Sequence, residues 1–151
     1  AAIIAKRQAV AAIFHERITA LYRQIAHNND SVSIAYSHND TATSQQLLRQ
    51  YEEKFDYDRV AGATSVGPHR HDIHIIFNRV PAAQAASRGE CRTIVLAMKF
   101  IEAEYIEQQS GVPPIILLDD VFGELDEQRQ RALLAEFKAN QVVMTSTVDI
   151  R

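Results

Sequence analysis

The chain has 151 residues, 46% of them hydrophobic and 23% charged, with a net charge of -3, which suits one ordinary core or one core with a smaller appendage. No apolar run approaches the roughly 20 residues that cross a bilayer, and no charged, then apolar, then small-residue leader opens the chain, so membrane insertion and secretion are not expected. The lone cysteine, Cys91, can form neither an internal disulfide nor a thiolate cluster, which fits a reducing cytoplasm, and the interspersed charges leave no compositional footprint for a polyanion.

Ile3, Ile4, Val10, Phe14, Ile18, Leu21 and Ile25 trace a helical stripe that begins without a methionine, a cap or a turn, so the opening reads as the middle of a longer chain. Asn28 to Asp30 end that helix. Val32, Ile34 and Tyr36 then alternate as a short strand does, and Ser37 to Thr43 form a polar loop. A second helix carries Leu47, Leu48, Tyr51 and Phe55 on one side. Near Asp58 the character changes: Gly62 and Gly67 punctuate the chain and the period drops to two. Ile73, Ile75 and Phe77 alternate with His74, Ile76 and Asn78, and the polar pair Asn78-Arg79 predicts the turn of a hairpin. His69, His71 and His74 invite a metal reading, but in a strand His74 would point away from the face that His69 and His71 share, so no site is expected there.

After Ser87 a strong helix begins, with Cys91, Ile94, Val95, Met98, Ile101 and Tyr105 on one stripe, stopping near Ser110 and Gly111. Ile115, Ile116, Leu117 and Leu118 follow as an unbroken apolar run bounded by Pro113 and Pro114. Such a run predicts a strand covered on both faces in an α/β sheet. Asp119 and Asp120 close it. A helix from about Glu127 to Lys138, carrying Leu133, Leu134 and Phe137, leads to a last strand through Val142, Val143 and Met144 that ends at Thr145.

Carboxylates at the carboxyl end of a parallel strand stand where open sheets bind ligands, and magnesium takes one or two such oxygens while keeping the rest of its shell for phosphate and water. The plainer reading is that Asp119 and Asp120 only cap a turn. Ser87 and Glu90 have the spacing of a capping box, which by itself explains a helix start. The same start leaves backbone N–H groups and the positive end of the dipole facing outward, and Gly89 lets a phosphate approach closely.

Taken in order, Ser87-Arg88-Gly89-Glu90, a helix, the strand to Asp119-Asp120, Gly123-Glu124-Leu125-Asp126, a helix and a strand to Thr145 resemble the second half of an ABC-type ATPase head. Within that class the chain resembles the RecF family. Gly67-Pro68-His69-Arg70-His71-Asp72, Ser87-Arg88-Gly89-Glu90-Cys91-Arg92-Thr93, and Leu117-Leu118-Asp119-Asp120-Val121 with Glu124-Leu125-Asp126 each look like a segment of it. The likeness is good over residues 60 to 147 and loose over the first 58. His71 stands where an acid is usual, and Cys91 where glutamine is common.

The resemblance implies an α/β fold, the C-terminal half of a P-loop NTPase head of ABC/SMC-like type with a mostly helical lid segment at the N-terminus. Residues 1–58 would be the later part of the lid and residues 59–151 the half with the signature and Walker B motifs. It implies that Asp119 holds Mg2+, that Asp120 polarises the attacking water where many relatives have a glutamate, and that Ser146, or Thr145, holds the γ-phosphate or that water. Ser87, Arg88, Gly89 and Glu90 would meet ATP bound by the opposite subunit, with Glu124, Leu125 and Asp126 along the shared interface. The implied cofactors are ATP and Mg2+. The implied partners are DNA, a second copy in an ATP-dependent homodimer and a RecR-type mediator protein, in DNA replication and recombinational repair. Arg70, Arg88 and Arg92 are candidate polyanion contacts.

No G-x-x-x-x-G-K-[ST] loop occurs in these residues, so the chain alone is expected to bind ATP weakly and to be inactive, with an apolar sheet edge exposed or covered otherwise, which predicts oligomerisation or modest stability. The competing readings are another SMC-like ATPase head, of RecN type or with a long coiled-coil arm, and a noncatalytic helical interaction module.

Overall fold

The computed structural model describes residues 1–37, 43–121, 127–136 and 140–147. The first helix, α1 (Ala2–Ala26), has no side-chain cap at its start and ends at His27, whose left-handed backbone (φ 52°) sends its N–H to the Arg23 carbonyl. The Arg23 guanidinium donates to the carbonyls of Asn29 and Asp30, fixing the turn into β1 (Val32–Tyr36). Thr19 secures the strand from the helix side: its hydroxyl donates to the Val32 carbonyl and accepts from the Val32 N–H.

β1 pairs antiparallel with β2 (Ile73–Phe77), Ile34 opposite Ile75, and β2 returns to the short β3 (Val80–Pro81) through the predicted Asn78-Arg79 turn. Both turn residues have positive φ, 47° and 70°, the backbone that two-residue hairpins use. Between β1 and β2 lies α2 (Ser44–Ala61), opened by a capping box of Thr43 and Gln46 and closed by Gly62 at φ 68°. The expected one-sided stripe on α2 is corrected here: Leu47 is buried and Tyr51 half-buried, whereas Leu48 and Phe55 are exposed. The helix touches a small cluster of Ile4, Ala11 and Tyr36 through its first turns only.

Two helices follow β3, the single-turn α3 (Ala82–Ala85) and the long α4 (Arg88–Ser110), which ends at Gly111 with φ 73°. α4 buries Thr93, Ile94, Leu96, Ala97, Phe100 and Ile101. These meet Ile18, Leu21, Tyr22 and Ile25 of α1, Val32 and Ile34 of β1, and Phe77 of β2 in the main core. The ring of Tyr22 packs edge-on against Phe77 at 5.8 Å between centroids. The one buried polar side chain among these α4 residues, Thr93, satisfies itself by donating to the Gly89 carbonyl at 2.9 Å.

The last unit is a β-α-β arrangement: β4 (Ile116–Asp119), α5 (Glu127–Glu136) and β5 (Val142–Thr145), with the strands parallel and Asp119 opposite Thr145. Leu118 enters the main core, which makes the fold α/β as expected. The expectation that this strand is covered on both faces is corrected. Leu117 is 74% exposed and its register partner Val143 is 52% exposed, so among the described residues one face of the parallel pair has no cover. Ile115 lies just before the strand and is exposed as well.

Candidate functional site

The site is built at the carboxyl ends of β4 and β5. Parallel register sets Asp119 beside Thr145, and the Thr145 hydroxyl donates to Asp119 Oδ1 at 2.6 Å while accepting the Asp120 N–H at 3.0 Å. Asp120 leaves the strand in the left-handed region, φ 47°, a conformation that aspartate tolerates better than most residues. Its Oδ1 accepts two hydrogen bonds from Thr147, from the hydroxyl at 3.0 Å and the backbone N–H at 3.3 Å. Both carboxylates are exposed.

A cavity of about 330 Å³ opens beside them, lined by Cys91, Arg92, Val95 and Leu96 of α4 and by Asp119, Asp120 and Val121. The expected acids therefore come together with the second and third turns of α4. Ser87, Arg88, Gly89 and Glu90 sit one turn earlier and are not among the lining residues. At that first turn the capping box is formed: the Glu90 N–H donates to Ser87 Oγ at 3.3 Å and the Ser87 N–H to Glu90 Oε2 at 2.6 Å. Gly89 faces α5, where an added Cβ would stand 3.3 Å from Arg129 Nη1.

Ser146 is exposed between the two threonines, and Glu124, Leu125 and Asp126 lie outside the described residues. Thr147 was missed in the sequence; the signal that could have found it is its two-residue spacing from Thr145, which puts both hydroxyls on one side of an extended chain. The three histidines take separate paths. His69 meets Thr64, His71 meets the Tyr36 hydroxyl at 2.9 Å, and His74 is exposed.

Two adjacent carboxylates with a hydroxyl between strands form a hard-oxygen donor set, which fits Mg2+ better than a softer metal. Among the described residues no larger group of histidines, cysteines and acids gathers as an all-protein metal cage. Magnesium bound to nucleotide needs none, since phosphates and water complete its shell.

The comparisons with known proteins agree with one another. The chain is 36% identical over 137 residues to the DNA replication and repair protein RecF of Cyanothece sp., and 33% identical over 158 residues to that of Geobacter sulfurreducens. These matches cover 85% and 99% of the chain, which spans only 36% and 43% of the length of those curated relatives. Among solved structures it superposes on the recombination mediator protein RecF with ATP, TM-score 0.79 and 26% identity, over 99% of the chain and 42% of that protein. The RecF structure described with ATPrS matches equally, at TM-score 0.79 over 97% of the chain. No family model matches.

Proposed function

Proceeding from a chain that is a C-terminal segment of RecF type, we propose that it supplies the acid-bearing strand and the signature helix of an ATP-dependent DNA clamp in replication and recombinational repair. One observation carries the reading: the parallel β4–β5 pair ends in Asp119 and Asp120, both at the wall of one cavity on the edge where open α/β sheets bind ligands.

In this reading Asp119 offers Mg2+ the carboxylate oxygen that Thr145 does not occupy, and Asp120 polarises the water that attacks the terminal phosphate. When bound, the magnesium neutralises charge on the phosphates. Ser87, Arg88, Gly89 and Glu90 stand apart from the lining of the cavity, which suits a role on nucleotide held by a second copy. Glu124, Leu125 and Asp126 would complete that shared interface. Residues 1–58 act as the later part of a lid and residues 59–151 as the signature half of the head, with α1 and α4 sharing one core across that division. DNA, a second copy and a RecR-type protein are the partners. A chain without a G-x-x-x-x-G-K-[ST] loop binds ATP only together with the part that carries one.

Asp120→Asn in the intact protein lowers ATP hydrolysis by about 100-fold or more, the usual scale of a lost general base, and leaves nucleotide binding in place. Unchanged turnover removes the assignment. Titration of DNA against the intact protein at several salt concentrations, with and without ATP, tests the clamp: an affinity indifferent to both contradicts it.

A further inference from the structure

We propose that Thr145 and Thr147 are positioning residues that aim the two carboxylates into the cavity, an assignment that rests on the functional reading above. Consecutive strand residues point to opposite faces, yet Asp119 and Asp120 line the same cavity. The left-handed backbone of Asp120 breaks the alternation, and Thr145 holds that break by accepting the Asp120 N–H. A threonine hydroxyl has a single proton to donate, and here it goes to Asp119 Oδ1. Thr145 is thus engaged on both acids and has no donor left for a phosphate.

Thr147 does the complementary task. Its hydroxyl and backbone N–H converge on Asp120 Oδ1, which leaves Oδ2 as the oxygen to accept from a water. Aspartate is one methylene shorter than glutamate, so its reach depends on how it is aimed, and a carboxylate held by two donors is aimed more narrowly than one held by none. The threonines come from β5 and its extension, the acids from β4. Parallel register at Asp119 and Thr145 is what brings the sets together.

The test uses the intact protein, with ATP turnover and Mg2+-dependent binding of a fluorescent ATP analogue measured separately. Thr147→Val lowers kcat about 10-fold, the scale of one hydrogen bond, with KM for ATP unchanged, and Thr147→Ser restores kcat to within about 3-fold. Thr145→Val raises the Mg2+ concentration that half-saturates analogue binding, a readout that needs no turnover. Parent-like kcat in Thr147→Val, or a loss that serine does not repair, overturns the positioning role while Asp120→Asn remains defective. If Asp120→Asn itself turns over normally, the functional reading fails and the role of Thr147 in hydrolysis fails with it.

Discussion

Tyr22 shows how one side chain couples α1 to α4. It is fully buried between α1, β2 and α4, and burial raises its phenol above the ordinary value of 10.0, with the carboxylates of Glu90 and Asp30 acting in the same direction. The Asn28 side chain and the Arg129 charge pull the other way, yet among the described residues no partner meets the hydroxyl at good hydrogen-bond geometry. A buried hydroxyl left unsatisfied costs about 1–3 kcal/mol, so Tyr22→Phe holds or raises stability at pH 7, measured by urea denaturation. The pH dependence has a definite sign. An acid whose folded pKa is raised stabilises the fold fully below its unfolded value and loses that contribution as pH rises past about 10, because the unfolded chain then binds fewer protons. The Phe variant therefore loses less stability than the parent between neutral and strongly alkaline pH; parallel losses would contradict this. The acids and the capping pair were readable because each is a sequence-local pattern. Thr147 was not, since its value comes from register with a strand more than twenty-five residues earlier, Thr147 bonding Asp120 at a separation of 27.

At the level of elements, the hairpin was legible and its turn carries a measurable tension. Arg79 adopts φ 70°, where an L side chain crowds the backbone and glycine does not. The Asn-Gly pair that such turns favour is Asn-Arg here. Arg79→Gly raises stability by about 0.5–1 kcal/mol after the entropy that glycine gives the unfolded chain is subtracted, read from the denaturation midpoint. Asn78 behaves oppositely. Its side chain accepts from the Ser31 N–H at 2.9 Å and donates to Asp30 at 2.8 Å, tying the hairpin to the turn after α1, so it is not a free turn residue. The second helix was legible in its boundaries and not in its burial. Leu48 and Phe55 fit a helical spacing, but spacing cannot say whether a partner surface is present, and the described residues leave both more than half exposed.

On the scale of the whole molecule the same lesson takes its strongest form in β4. An apolar run with no polar alternation says that both faces want cover, and the described residues supply it for Leu118 and, in part, Ile116, leaving Leu117 and Val143 open side by side on the parallel pair. Ile115 and Val112, which precede the strand, are exposed apolar residues as well. A contiguous patch of this kind drives association when its natural cover is absent. The 151-residue chain by itself is therefore expected to self-associate through this face, with an apparent mass by sedimentation velocity that rises with concentration. Leu117→Lys, at a position already open to solvent, changes folding stability by less than about 0.5 kcal/mol and suppresses the association. A parent chain that stays monomeric, or a lysine variant that associates as strongly, would show that the open face of β4 and β5 is not what holds copies together.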